Sequence, residues 1–213
     1  MNERNTARIV RYSAEMRINH WIVAGSFVLL ALSGLALFHP ALFWLGNLFG
    51  GGPWTRILHP FIGLVMAAAF WMLAARMWRD NHWQERDSIW LANIRDVVAK
   101  RERKLPDVGR YNAGQKLIFF TFVACLIILL LSGIVIWRAY FSAAFPIGMI
   151  RLASLLHALF AFAMILAIIV HIYAAVWVKG SIRAMTRGWV TPGWAWKHHR
   201  AWFREVTKDT APK

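Results

Sequence analysis

Residues 152–178 read LASLLHALFAFAMILAIIVHIYAAVWV, 27 positions without a Lys, Arg, Asp or Glu. A bilayer core needs about 20 apolar residues in helical form, so this run crosses it with length left for tilt or protrusion. It shows no apolar–polar alternation, and amides in lipid must bond within a helix or a closed barrel, so the run reads as a helix. Three further stretches behave alike: residues 21–38, a segment within 57–75, and residues 117–137. The expected fold is all-α, an integral membrane four-helix bundle. One domain would cover 1–213, with spans near 18–38, 57–78, 115–138 and 150–178.

The composition agrees. Of 213 residues, 59% are apolar and 16% charged, which excludes disorder and a disulfide scaffold. The net charge of +15 is not a nucleic-acid signal, because the basic residues frame the spans and mix with acids. Of 25 basic residues, 22 lie before the first span, between the second and third, or after the fourth. Only Arg56, Arg138 and Arg151 occupy the other two loops. The positive-inside rule then puts both termini in the cytoplasm of a bacterial inner membrane. The first apolar run is too long for a signal peptide and is expected to stay.

Smaller features follow. Trp90, Ile94, Val97 and Val98 fall at helical spacing in the inner loop, which predicts a short helix at the membrane surface. Trp189, Trp194, Trp196 and Trp202, set among Lys and Arg, predict an interfacial tail, and most of the 13 Trp read as an aromatic belt. Pro53 after three glycines predicts a turn. Cys125 is the single cysteine, mid-span, and can form no internal disulfide. No internal repeat is evident.

Eight histidines carry the chemistry. His82, His198 and His199 lie in basic inner segments and read as solvated or lipid-facing, and His39 as a polar cap at the outer edge. His20, His59, His157 and His171 lie within spans, where an ionisable side chain is costly and points to function. His171 follows His157 by 14 residues, roughly 21 Å along a helix and within about 40° of whole turns, so both rings leave one face at two depths. By depth, His59 can meet His157 at the outer level and His20 can meet His171 at the inner level. Two separated pairs do not make one zinc site, which wants three or four converging ligands. Facing imidazoles suit the axial positions of b-type haem, two in all. Gly63, Ala24, Ala153, Ala161, Ala167 and Ala175 lie one turn from these histidines and would admit a flat macrocycle. Arg56, Arg138 and Arg151 are candidates for outer propionate contacts, and Arg17, Lys179 or Arg183 for inner ones.

Beyond these patterns, the chain resembles the cytochrome b (gamma) subunit of respiratory formate dehydrogenases. The resemblance rests on RILHPF (56–61), DVGRYNAGQK (107–116), SGIVIWR (132–138), HIYAAVWVKGSI (171–182) and KHH (197–199). It implies the same four ligands in the same pairs. It implies an iron–sulfur (beta) subunit anchored by its own helix, a molybdenum or tungsten catalytic (alpha) subunit on the periplasmic side, and a trimer of such heterotrimers. It implies electrons crossing from the outer to the inner haem, reduction of menaquinone or ubiquinone near the cytoplasmic face, and a contribution to proton-motive force. The quinone pocket it implies involves Asn112, Gly114 and Gln115. Asn112 can cap the third span, whose free N–H groups and dipole favour a quinone oxygen. A histidine proton-relay transporter would want acidic partners inside the spans, and none occur there. A bare membrane anchor would not need four depth-matched histidines. A hydrogenase cytochrome b is the nearest rival.

Overall fold

The computed structural model describes residues 8–99 and 106–208. Arg4, Lys100, Arg101, Glu102, Arg103, Lys104 and Lys213, which enter the charge arguments, lie outside the described residues. In chain order the elements are β1 (Ile9–Val10), α1 (Ala14–Phe38), α2 (Gly52–Met77), α3 (Glu85–Ala92), α4 (Ile94–Val98), α5 (Ala113–Ile136), α6 (Ile147–Trp177), α7 (Ser181–Arg187), β2 (Trp189–Val190), α8 (Pro192–His198) and α9 (Arg200–Lys208). The protein is an all-α membrane helical bundle, and α1, α2, α5 and α6 are long and apolar enough to cross a bilayer.

Each long helix starts two to five residues before its expected span. Charges such as Glu15 and Arg56 bound the hydrocarbon run but do not stop helical hydrogen bonding. The turn expected at the glycines falls on Gly50 and Gly51, both at positive φ. Pro53 follows it in the first turn of α2, where proline's fixed φ and missing N–H suit a helix start. Thr55 secures that start by donating to the Gly51 carbonyl at 2.9 Å.

Residues 18–76 and 121–171 form one compact unit. Its interior is made of small and apolar side chains, among them Ser33, Ala36, Ala67, Ala74, Cys125 and Met164. Its exterior leaves Val65, Leu131, Leu155, Leu166 and Ile169 exposed. A soluble protein would not present so much contiguous apolar surface; lipid covers it.

The described parts of residues 1–17, 77–120 and 172–213 form a second unit. Here β1 and β2 pair antiparallel, with Ile9 opposite Val190 and Val10 opposite Trp189. Gly188, at φ +85°, precedes β2, and its carbonyl accepts from the Arg11 and Tyr12 amides at 2.8 and 3.1 Å. A Cβ there would strike the Arg17 guanidinium, so glycine meets both the backbone and the space requirement. Tyr12, Tyr111, Ala184, Val190, Ala195 and Trp202 make a small core. Arg11 is buried beside it, donating to the Arg110 carbonyl at 2.5 Å, with its guanidinium 4.7 Å from the centre of the Trp202 ring.

The tail therefore differs from the expectation. Of its four tryptophans only Trp196 is exposed, and Trp202 is core. Apolar residues on α7, α8 and α9 had a protein partner in the N-terminal strand, which the local pattern cannot reveal. Trp90 is likewise buried and packs on Gly114. Among the described residues of the inner loop, two short helices, α3 and α4, stand where one was expected.

Candidate functional site

The four spanning histidines come together in twos, both pairs within the first unit. His20 on α1 faces His171 on α6, ring centroids 6.4 Å apart. His59 on α2 faces His157 on α6 at 6.2 Å. All four rings are half-buried. Among the described residues no group of three or more His, Cys, Asp or Glu could hold a metal ion.

Two imidazoles can share an iron only at one separation. A metal–imidazole nitrogen bond is about 2 Å, and the nitrogen lies a little over 1 Å from its ring centroid, so two axial rings stand about 6.3 Å apart. The observed 6.4 and 6.2 Å fit.

The outer pair is also oriented. Ser33 Oγ lies 2.7 Å from His59 Nδ1, and Ser132 Oγ lies 3.0 Å from His157 Nδ1. Both serines are buried. Behind each ring edge stands a glycine: a Cβ on Gly34 would be 3.4 Å from His59 Cε1, and one on Gly133 would be 3.3 Å from His157 Cε1. The sequence reading missed these residues. The signal was present, because Leu-Ser-Gly occurs at 32–34 and 131–133, with the serine 26 or 25 residues before its histidine. The two helical hairpins therefore share this local arrangement.

The remaining candidates fall elsewhere. Arg56, Arg138 and Arg151 are exposed. On the other side of the charge division, Arg17 donates to the Tyr12 carbonyl at 3.1 Å, Arg183 lies over Trp189, and Lys179 is exposed. His39 caps the 3-10 helix Pro40–Phe49, its Nδ1 accepting from Ala41 N. His82 is exposed. His199 is not solvated as expected; it is buried, with Nδ1 2.8 Å from the Gly109 carbonyl and Nε2 3.3 Å from Arg11 Nη2. Burial first, and then the Arg11 charge, push its pKa well below the ordinary histidine value.

Asn112 and Gln115 form a reciprocal box at the start of α5. Gln115 N donates to Asn112 Oδ1 at 2.9 Å and Asn112 N donates to Gln115 Oε1 at 3.0 Å. The space left by Gly114 is taken by Trp90, whose ring would lie 3.3 Å from an added Cβ. The crevice beside the box, lined by Arg86, Trp90, Val108 and Ala113, is too tight to admit a water molecule. Just behind it, Lys116 donates to Asp87 at 2.7 Å and to the His82 carbonyl at 2.8 Å, with both charged side chains buried.

This fold defines a class: membrane-spanning helical proteins with paired histidines inside the bundle. Comparison narrows it. Residues 11–188 match the family described as prokaryotic cytochrome b561, and the chain belongs to that family. Membership implies haem b, which the separation of the paired rings accommodates. The chain is 50% identical over its whole length to the formate dehydrogenase cytochrome b556(fdo) subunit of Escherichia coli K12, covering 99% of that protein. It is 43% identical to the nitrate-inducible formate dehydrogenase cytochrome b556(Fdn) subunit of the same strain, over 96% of this chain and 94% of that one. Against the formate dehydrogenase cytochrome b556 subunit of Haemophilus influenzae it is 42% identical, over 94% and 84%.

Proposed function

We propose that the chain is the membrane cytochrome b subunit of a respiratory formate dehydrogenase, in which His59 and His157 would hold an outer b haem and His20 and His171 an inner one. The observation that carries this reading is the separation of the paired rings, 6.2 and 6.4 Å, which is that of two imidazoles on one iron. Support for the formate type comes from relatives of that name at 42–50% identity over at least 94% of this chain. When bound, the haems would supply a one-electron relay from a periplasmic iron–sulfur subunit to quinone near the cytoplasmic face.

The chain's own residues have separable tasks in this reading. The buried small residues of the long helices let the bundle close around flat groups and exclude water. Four imidazoles present neutral nitrogen donors at two depths. The box of Asn112 and Gln115 fixes the start of α5, and the Gln115 side-chain amide is left to donate to a quinone oxygen. Gln115 is exposed and lies on the accessible side, so quinone is taken there rather than in the closed crevice. Formate chemistry resides on a molybdenum- or tungsten-containing partner. Proton uptake inside, with release outside, contributes to the proton-motive force, and both chain ends face the cytoplasm.

A reduced-minus-oxidised spectrum of the purified chain, with an iron count, tests the centre of the proposal. Two b-type haems per chain are expected, and a colourless protein would end the reading. Copurification with a formate-oxidising partner, and formate-dependent quinone reduction by that complex, tests the assignment to formate rather than hydrogen.

A further inference from the structure

The two histidine pairs are alike in separation and unlike in what holds the far side of the ring. At the outer pair, each Nδ1 meets a buried serine hydroxyl, Ser33 at 2.7 Å and Ser132 at 3.0 Å. A hydroxyl has one proton. Ser33 gives its proton to the Leu29 carbonyl at 2.8 Å, and Ser132 gives its proton to the Ile128 carbonyl at 2.6 Å. The oxygen lone pairs that remain can only accept. With the serine protons so placed, each outer ring would carry its hydrogen on Nδ1 and leave a free lone pair at Nε2, which is the form an iron on Nε2 requires. Gly34 and Gly133 let the ring edges lie against the neighbouring helix, so the serine can be reached.

The inner pair is built otherwise. Among the described residues, the buried His20 Nδ1 has no hydrogen-bond partner. His171 packs edge-on against Phe122, ring centroids 5.8 Å apart. A ring that donates from Nδ1 gains electron density and becomes a stronger metal ligand, which favours the oxidised, more positive metal. A serine stands behind each ring at the outer level, where His157 also has a backbone hydrogen bond to Leu129, and among the described residues the buried His20 Nδ1 has no such partner.

We propose that Ser33 and Ser132 are positioning residues that fix the Nδ1–H form of the outer histidines and hold the outer haem at a lower reduction potential than the inner one, so that electrons run inward. The inference rests on the haem assignment above. It gives the direction of flow a cause within this chain: a serine on α1 and a serine on α5, each reaching the next long helix.

The test is an optical redox titration of the full chain, with Ser33→Ala, Ser132→Ala and the double variant compared with the parent. The outer haem's band is identified as the one lost in His59→Ala. Each single change should shift the outer haem's equilibrium toward the reduced form by several-fold, and the double change about tenfold, about 59 mV for one electron. The inner haem's midpoint should stay where it is. Ser132→Thr, which keeps the hydroxyl, should retain the parent's outer midpoint. If an alanine variant loses the outer haem while Ser132→Thr keeps it, the positioning role also stands. Two haems with unmoved midpoints in the double variant would overturn the proposal and leave the haem assignment intact, as would equal shifts of both haems or failure of Ser132→Thr alongside alanine. A parent chain without haem would instead sink the assignment itself.

Discussion

A histidine inside a bilayer gives up its hydration, and the four here are placed so that each ring faces another instead of lipid. Haem retention should therefore fail in pairs. His59→Ala and His157→Ala should each halve the haem content and remove the same spectral component, and His20→Ala and His171→Ala should remove the other. Loss of a common component from His20→Ala and His157→Ala would contradict the pairing. His199, in the second unit, behaves in the opposite manner. Its neutral ring donates from Nδ1 to Gly109, and Nε2 accepts from Arg11. Because the folded pKa lies below the unfolded value of about 6.5, the unfolded chain takes up the proton first. The contribution is complete above about pH 6.5 and declines as pH falls below it. The apparent Tm should drop between pH 7.5 and 5.5, and His199→Gln, which keeps a donor and an acceptor, should flatten that slope. At this scale the sequence disclosed depth and face, because both follow from rise and turn per residue. It did not disclose the serines, since a serine in a helix reads as a small residue until its partner on another helix is known. Nor did it disclose the burial of His199, whose partners are about 90 and 188 positions away.

Among elements, α5 depends on its first turn. Asn112→Ala should remove one arm of the reciprocal box and cost about 0.5–2 kcal/mol, whereas Asn112→Asp should keep the cap. Denaturation of the three proteins in one detergent would order them. If Asn112→Ala were as stable as the parent, the box would be ornamental. Behind it, Lys116 and Asp87 form an ion pair with side chains only 4% exposed. Removing one member leaves a buried charge unmatched, so Lys116→Met should cost about 3–5 kcal/mol. Adding Asp87→Asn should recover most of that loss, because asparagine is uncharged and can still accept from Gln84 N as Asp87 does. A double variant no more stable than Lys116→Met would refute the argument. The sequence anticipated the cap at Asn112, because capping is local. It placed Lys116 among the loop charges, because its partner on α3 is 29 residues away. The same limit explains Trp90 and Trp202: aromatic residues among basic ones resemble a membrane belt until a protein surface covers them.

For the whole molecule, the number and order of the spans were legible because lipid imposes one rule on every backbone amide it touches, and long uncharged runs satisfy that rule in only one way. The second unit was hidden for the complementary reason: its core draws on three separated segments, each too polar on average to announce burial. Orientation rests on charge. The 22 basic residues on one side and three on the other predict that the outer loops, including residue 143, face the periplasm and the α3–α4 segment faces the cytoplasm. Cys125 is the only cysteine and is buried, so single reporters can be introduced in a Cys125→Ser background. Ala143 and Arg95 are both exposed. In intact cells with a permeabilised outer membrane, a membrane-impermeant maleimide should label Ala143→Cys and leave Arg95→Cys unlabelled until the inner membrane is opened. The reverse pattern would place the outer histidine pair on the cytoplasmic side, and with it would invert the direction in which the serine-held pair sends electrons.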